Sequence, residues 1–366
     1  ILGRLVGSEM CIRDRINSTS SASEYRPKNF NDMIGQDAIV KTLNNAIKND
    51  NIPQALLFCG PRGVGKTSCA RILAKTINNL EDDFEYNIFE LDAASNNSVE
   101  DIRNITDQIR IPPQTGRYKV YIIDEVHMLS NQAFNAFLKS LEEPPEHVVF
   151  ILATTEKNKI LPTILSRCQI YDFKKVDNES ITKLLSKICK EKKVKYEDGS
   201  LSLIAERSDG SIRDSLSIFD RLVSFTDSNL TISEVTLNLN VLDFDTYFKI
   251  SELINKKDIP GILNLYNDIY IKGFDDSNFL NGLSKHLREL LIYSLNSSDK
   301  LSDYKNELSK RYLDHSKDIS NNDLISMIEI INDTLINYQK VNDKRIHLEL
   351  CLMKLASLDS IKKKSL

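Results

Sequence analysis

The 366-residue sequence lacks features that define several broad classes of protein. It contains no run of about 18 apolar residues, which argues against a membrane-spanning helix. Positive charge is not in excess either, because 52 Asp and Glu outnumber 48 Lys and Arg and leave a net charge of −4. A protein that coats nucleic acid through bulk positive charge is therefore disfavoured, whereas contact with DNA through a local patch stays open.

Clustered metal ligands are also missing. The six cysteines form no CxxC pair, and the five histidines are dispersed along the chain. No zinc-finger spacing results, so a hydrolase built on His and Cys metal ligands is disfavoured. We expect the cysteines to be reduced thiols of a cytoplasmic protein.

The pattern of apolar residues predicts an α/β region followed by helices. Short apolar runs at 55–59, 119–123 and 148–153 alternate with amphipathic segments, which favours a parallel sheet covered on both faces by helices. After residue 172 the strands stop, and apolar residues at helical spacing continue to the end. The length suggests two or three domains.

The first residues are unusual. The chain starts at Ile1, and the segment ILGRLVGSEMCIRDR at 1–15 has no apolar core typical of a signal peptide. It resembles the translated read-through tails at the ends of some assembled environmental sequences. Residues 1–23 are therefore expected to be a non-native or disordered lead-in.

One glycine-rich segment carries a specific signal. The sequence GPRGVGKT at 60–67 matches the pattern G-x4-G-K-[ST] between a predicted strand and a predicted helix. Its glycines let main-chain N–H groups turn towards phosphate oxygens. We expect Lys66 to reach the β and γ phosphates of a nucleotide and the Thr67 hydroxyl to ligate Mg²⁺. An ordinary strand–helix turn would need the whole pattern to arise by chance.

Two carboxylates end the apolar segment VYIIDE at 120–125. Asp124 is expected to hold the magnesium through water, and Glu125 to polarise the attacking water as general base. A surface loop could also carry such a pair, but its distance from Lys66 in a chain of alternating strands and helices disfavours that alternative.

Three further polar residues fit the same chemistry. Thr155, with Thr154 before it, follows the next predicted strand and could orient the attacking water. Arg167 in SRC (166–168) and Arg213 in GSIRD (210–214) each stand at the start of a loop or helix. A planar guanidinium suits a γ-phosphate, although a surface salt bridge would explain either arginine taken alone.

Together the motifs resemble a known family, the bacterial DNA polymerase III gamma/tau subunits, which are AAA+ ATPases of the sliding-clamp loader. The resemblance runs from about residue 25 to 220 and weakens beyond it, although RIHLELCLMKL at 345–355 is similar to the family's last collar helix. It depends on GPRGVGKT (60–67), ELDAASNNSVEDIR (90–103), YIIDEVHMLS (121–130), FLKSLEEPP (137–145), FILATTE (150–156) and ILPTILSRC (160–168).

The resemblance implies an α/β P-loop NTPase of the AAA+ class with a RecA-like parallel sheet, a helical lid and a C-terminal all-α collar. The implied domains are the ATPase domain at 24–175, the lid at 176–240 and the oligomerising collar at 241–366.

The resemblance also implies roles for individual residues. Asp124 and Glu125 become the Walker B pair and Thr155 becomes sensor 1. Arg213 becomes sensor 2, and Arg167 becomes an arginine finger that acts on ATP bound to the neighbouring subunit. The implied phosphate-binding residues are Gly60, Pro61, Arg62, Gly63, Val64, Gly65, Lys66, Thr67 and Ser68. The adenine and ribose would be lined by Arg26, Pro27, Ile34 and Gly35.

The implied cofactors are ATP and Mg²⁺. The implied partners are delta, delta-prime and further gamma/tau copies in a ring, together with the sliding clamp and primer–template DNA, and no membrane. The family is classed with DNA-directed DNA polymerase, although polymerisation would lie in another subunit. For DNA contact the best candidate is the stretch 102–117, which contains Arg103, Arg110 and Arg117.

The sequence departs from the family in two ways. Members usually carry a four-cysteine zinc module before the ELDAAS segment, whereas residues 78–87 hold no cysteine, so we expect no zinc site. The sequence also stops directly after the collar, which is typical of a short form or a fragment.

Three alternatives remain. A branch-migration ATPase would need a winged helix near the C-terminus, where the expected strand pair is missing from the sequence pattern. A scaffold subunit of the loader would have a broken P-loop or Walker B motif, and both motifs are intact here. A small-molecule kinase is disfavoured by the Ser-Arg-Cys loop and by the lid and collar.

Overall fold

A computed structural model describes residues 20–79, 87–113, 116–239, 242–295 and 307–358. Residues 1–19 of the predicted lead-in, residues 80–86 of the cysteine-free gap and the last residues, 359–366, lie outside the described residues. The described residues divide into two compact units, and the division falls in the chain between Thr231 and Ile232. Among them, no helix is both long and apolar enough to cross a membrane.

The first unit contains a five-stranded parallel sheet in the order β2-β3-β4-β1-β5. Because all strands are parallel, Cys59, Asp124 and Thr154 end their strands at the same edge of the sheet. The strands are β1 (Ala55–Cys59), β2 (Ile88–Asp92), β3 (Lys119–Asp124), β4 (Val148–Thr154) and β5 (Gln169–Asp172).

Helices cover both faces of this sheet. Alternate strand residues enter two different apolar clusters: Leu56 and Phe58 pack on one face, and Leu57 and Cys59 on the other. This alternation explains why β1 is apolar throughout, and it confirms the predicted architecture. The helices up to β5 are α1 (Ser21–Glu24), α2 (Asp37–Lys48), α3 (Lys66–Asn78), α4 (Val99–Ile109), α5 (Asn131–Glu142) and α6 (Pro162–Leu165).

A small helical region completes the first unit. It comprises α7 (Asn178–Lys192), β6 (Lys195–Tyr196), α8 (Asp198–Arg207), α9 (Ile212–Phe225) and β7 (Asn229–Leu230). The side chains of Asp177 and Ser211 cap α7 and α9 by accepting main-chain N–H groups. Strands β6 and β7 pair in parallel, so the end of this region is joined to the segment that follows α7. The first compact unit ends at Thr231, and the end of the lid at residue 240 stays a prediction.

The structure differs from the predicted lead-in at its C-terminal end. Ser21 lies in α1 and is fully buried. Its main-chain N–H and its hydroxyl both donate to the carboxylate of Asp220 in α9, the former at 2.7 Å. Lys192 of α7 pairs with Glu24 at 2.8 Å. Residues 20–23 are thus packed against the lid helices and do not belong to a disordered lead-in.

The second unit consists of helices in its described part. Its apolar core includes Phe248, Leu287 and Leu352. The imidazole of His286 is buried in this core, where Nε2 lies 3.2 Å from Ser251 Oγ and Nδ1 lies 3.0 Å from Tyr312 Oη. The helices are α10 (Ile232–Asn238), α11 (Phe244–Asn255), α12 (Ile259–Ile271), α13 (Asp276–Ser294), α14 (Glu307–His315), α15 (Asn321–Asn337) and α16 (Lys344–Ala356).

Candidate nucleotide-binding site

The loop between β1 and α3 holds Lys66 at its centre. Lys66 is the first residue of α3, and its ammonium group donates to the carbonyls of Gly60 at 2.8 Å and Pro61 at 2.7 Å. Burial lowers the pKa of Lys66, whereas the nearby carboxylates of Glu125 and Asp124 act in the opposite direction. Neutral carbonyls hold the cation beside the N-terminus of α3, where an anionic ligand would find both the charge and the helix dipole.

Thr67 and Asp124 meet across the site. The Thr67 hydroxyl donates to Asp124 Oδ2 at 2.6 Å, although 57 positions separate the two residues in sequence. Asp124 ends β3, and its other carboxylate oxygen accepts the N–H of Glu125 at 2.9 Å. A hydroxyl and a carboxylate are hard oxygen ligands of the kind that Mg²⁺ prefers. The side chains present therefore fit the expected magnesium ion.

Glu125 has an unusual backbone conformation. It lies in the left-handed region at φ 47° and ψ 44°, directly after β3. A residue with a Cβ adopts this conformation only when its surroundings enforce it, and such residues are frequent at functional sites. Glu125 Oε2 accepts from the Thr155 hydroxyl at 3.0 Å and from the Thr155 N–H at 3.3 Å. The structure thus brings together the residues expected to be general base and sensor 1.

The helix α9 contacts the loop between β1 and α3 directly. The Arg213 N–H donates to the carbonyl of Gly63 at 3.3 Å. Gly63 has a φ of +73°, and a Cβ added to it would lie 2.0 Å from the Ser211 hydroxyl oxygen. Only glycine fits this position without displacing α9. The start of α9 is therefore held against the loop, with Arg213 at the rim of the site.

A cavity of about 340 Å³ lies between the loop, the end of β3 and the start of α9. Its volume is within the range of small-molecule sites. Arg26 lines one side and donates to the Ser68 hydroxyl at 3.2 Å. Burial, followed by the neighbouring charge of Arg71, lowers the pKa of Arg26. The other lining residues that the sequence predicted are Pro27, Ile34, Arg62, Gly63, Val64, Gly65, Lys66, Thr67, Ser68, Asp124, Glu125 and Arg213.

Some expected site residues do not line this cavity. Gly60 and Pro61 take part through their carbonyls, which hold Lys66. Gly35 packs instead beside Val176, whose methyl carbons lie 3.2 Å from the position of an added Cβ. Thr155 reaches the cavity through Glu125.

Arg167 lies outside the cavity. Its guanidinium donates to the Thr163 carbonyl at 2.7 Å and pairs with Glu142 at 2.7 Å. Within the described residues, the structure therefore does not bring Arg167 to the site formed by its own chain.

Sequence reasoning missed several lining residues. The short helix α1 contributes Ala22 and Ser23 to the lining. The sequence analysis places both in the lead-in, because a serine-rich stretch has no helical periodicity of apolar residues. Met33 and Leu216 were also missed, since a single apolar residue beside a motif is not distinguished from core. The other residues missed by the sequence analysis are Ser20, Tyr25 and Ile212.

Among the side chains that it describes, the structure gives no contact that joins the arginines suggested for DNA binding. Arg117 pairs with Asp50, and Arg110 is exposed just after α4. The side chain of Arg103 lies outside the described residues.

In the described part of the chain, no three His, Cys, Asp or Glu side chains cluster as metal ligands.

Comparison with known families gives three consecutive matches. Residues 35–177 match the family described as DNA polymerase III, delta subunit. Residues 180–228 match the DNA polymerase III clamp loader subunit, ATPase lid domain. Residues 231–366 match DNA polymerase III subunits gamma and tau domain III.

Curated relatives agree with these matches. The chain is 36% identical to DNA polymerase III subunit tau of Bacillus subtilis, over 90% of this chain and 62% of the relative. It is 34% identical to DNA polymerase III subunit gamma of Buchnera aphidicola subsp. Baizongia pistaciae, over 93% of this chain and 97% of the relative. The chain thus spans less than two thirds of the tau subunit and nearly all of the gamma subunit.

Among solved structures, the Thermotoga maritima RuvB Holliday junction branch migration motor aligns with 63% of this chain and 79% of its own, with a TM-score of 0.49 and 22% identity. A likeness at this level decides nothing about function. The family matches and the curated relatives confirm the resemblance and favour the clamp-loader interpretation over the branch-migration alternative. The parallel sheet and the match to an ATPase lid domain confirm the predicted fold class. The chain belongs to the gamma/tau family of DNA polymerase III clamp-loader subunits.

Proposed function

We propose that this chain binds ATP with Mg²⁺ in the cavity and hydrolyses it as a subunit of a clamp loader. One observation carries the proposal: Lys66, Thr67, Asp124, Glu125 and Arg213 converge on the same cavity. These residues come from the start of α3, the end of β3 and the start of α9. Their side chains would supply a cation for phosphate, oxygen ligands for a metal ion and a base for water.

The proposed reaction uses these groups in sequence. Main-chain N–H groups of the loop and the Lys66 ammonium bind the β and γ phosphates. Thr67 and Asp124 would hold Mg²⁺, which neutralises phosphate charge. Glu125 takes a proton from a water whose oxygen forms a bond to the γ-phosphorus. The bond between that phosphorus and the β,γ-bridging oxygen breaks, and its electron pair leaves on ADP.

The arginines would make the reaction dependent on closure and assembly. Arg213 would contact the γ-phosphate from the lid of its own chain, and Arg167 would reach ATP bound to a neighbouring subunit. The position of Arg167 outside the cavity of its own chain, together with its partial exposure, supports the second role. Contacts made only in the closed state give ATP the differential affinity that shifts a conformational equilibrium. An arginine supplied in trans is worth about 10³–10⁵ in rate in other NTPases, so the chain alone should hydrolyse ATP slowly.

The proposed partners follow from the family. They are delta, delta-prime and further gamma/tau copies in a cytoplasmic ring, with a sliding clamp and primer–template DNA as the objects on which the ring acts. Contact with DNA would track phosphates and weaken with salt. The polymerising activity with which the family is classed would lie in another subunit.

The test is steady-state ATPase activity with and without partner subunits, clamp and primed DNA. We expect strong stimulation that is lost in Lys66→Ala and in Arg167→Ala. The matched controls are Lys48→Ala and Arg221→Ala, whose side chains are exposed elsewhere on the first unit. Full activity of the chain alone, indifferent to clamp and DNA, would contradict the proposal.

A further inference from the structure

His127 is enclosed beside the site, and the proposed hydrolysis does not use it. Its side chain is only 6% exposed. It belongs to the short 3-10 helix Val126–Met128, which directly follows Glu125. The left-handed turn at Glu125 therefore places the Glu125 carboxylate and the His127 ring on neighbouring positions of one tight turn.

The ring lies between two carboxylates. His127 Nδ1 is 3.4 Å from Glu125 Oε2, and Nε2 is 3.4 Å from Glu156 Oε1. Both distances are longer than most hydrogen bonds and shorter than the separation needed for an intervening water. Catalytic contacts are often long without substrate and tighten in the complex. The Nδ1 edge of the ring thus lies against Oε2 of Glu125, beside the closer Thr154 hydroxyl.

Thr154 fixes the orientation of the ring. Its hydroxyl oxygen is 3.0 Å from His127 Nδ1 and also accepts the N–H of Glu156 at 3.0 Å. Thr154 ends the fully buried strand β4, so this hydroxyl does not move freely. Glu156 is held in turn by Lys159 at 2.8 Å. The imidazole is therefore locked in a single plane by groups on β4 and the loop that follows it.

Two donors and one ring nitrogen consequently lie around one oxygen of Glu125. The Thr155 hydroxyl, the Thr155 N–H and His127 Nδ1 all surround Oε2. Glu125 itself lines the cavity. A carboxylate anchored through one oxygen presents the other in a defined direction, and a base must be positioned before it can accept a proton efficiently.

We propose that His127 is a positioning residue that, with Thr155, orients the Glu125 carboxylate towards the attacking water. This inference rests on the proposed function of Glu125 as general base. His127 does not line the cavity, and it would act through Oε2 of Glu125.

The test compares substitutions that keep different ring nitrogens. The amide nitrogen of asparagine is as many bonds from Cα as Nδ1, and that of glutamine as many as Nε2. We expect His127→Ala to lower kcat about tenfold, a part of the contribution of a general base, with KM for ATP and nucleotide affinity nearly unchanged. His127→Asn should restore most of kcat, and His127→Gln should not. His147→Ala, a partly exposed histidine away from the cavity, is the control.

The measurements use the full chain, alone and with partner subunits, with Glu125→Gln as reference. The double variant Glu125→Gln/His127→Ala should be no slower than Glu125→Gln. Unchanged kcat in His127→Ala, a change in KM alone, or rescue by Gln as good as by Asn would overturn the inference. Should His127→Ala fail to fold, the Asn and Gln variants decide. Full activity of Glu125→Gln would instead show that the proposed function fails.

Discussion

The guanidinium of Arg167 is clamped between the carboxylate of Glu142 and the main-chain carbonyl of Thr163, each at 2.7 Å. Glu142 is the last residue of α5 and Thr163 lies in α6, so two helices hold the same side chain. The Arg167 side chain is 34% exposed. The arginine is thus directed by its own chain while it stays accessible to another.

Loss of the contact between Arg167 and Glu142 should lower the ATPase activity of the assembled complex more than it lowers the stability of the isolated chain. Exposed ion pairs contribute less than about 1 kcal/mol to stability, so Glu142→Ala should unfold almost as the wild type does. A guanidinium that is no longer directed should reach a neighbouring site less often, so stimulated ATPase activity should fall several-fold. Glu143→Ala, the exposed next residue, serves as control. Equal stimulation of both variants would show that the clamp has no functional role.

Gly63→Ala should displace the lid. Gly63 and Gly273 both have positive φ, so an added Cβ costs about 1–2 kcal/mol of backbone strain at either position. Only at Gly63 does the new Cβ also collide with Ser211, whereas at Gly273 nothing lies within 4 Å. Nucleotide affinity, measured by titration with a fluorescent ATP analogue, should fall in Gly63→Ala and stay unchanged in Gly273→Ala. Equal affinities would contradict the contact between α9 and the loop.

Ser21→Ala should destabilise the first unit. The substitution removes a buried hydroxyl that donates to Asp220 and leaves the carboxylate without that donor. Such losses cost about 1–3 kcal/mol of the free energy of unfolding. Ser23→Ala, on the exposed side of the same helix, should change it by less than about 0.5 kcal/mol. Urea unfolding followed by circular dichroism measures both, and similar values would show that α1 is not anchored through Ser21.

His286 should make the second unit sensitive to acid. Burial, together with the charges of His315 and Arg311, lowers its pKa to about 3. The unfolded state, with a pKa near 6.5, therefore binds the proton first, so stability is full above about pH 6.5 and falls as the pH decreases towards 3. The slope is at most about 1.4 kcal/mol per pH unit.

Amide hydrogen exchange of α13 at several pH values, corrected for intrinsic rates, measures this dependence. His286→Gln should be less stable at neutral pH and should lose the slope over this range. The control His347→Gln, in a partly exposed histidine on α16, should retain it. A wild-type protein without the slope would contradict the assignment.

The sequence predicted best what is encoded locally. Residues 60–67 and the carboxylates after β3 carry their chemistry in short patterns, and the parallel sheet brings them together whatever the intervening chain contains. Contacts between distant residues gave no such signal. The bond from Ser21 to Asp220 joins positions 199 apart, and nothing near either residue indicates the other. Glu142 and His127 occur within recognised motifs, but a motif does not show which neighbour a side chain touches.

The link between α9 and the phosphate-binding loop is made by the main chain of residue 213. A substitution such as Arg213→Ala therefore removes a charge from the cavity while leaving the hydrogen bond to Gly63 intact. Attachment of the lid and the proposed recognition of the γ-phosphate should thus be separable by mutation, although both are assigned to residue 213. Gly63→Ala should therefore report how attachment of the lid affects nucleotide affinity. Arg213→Ala should report how the charge of the guanidinium affects it.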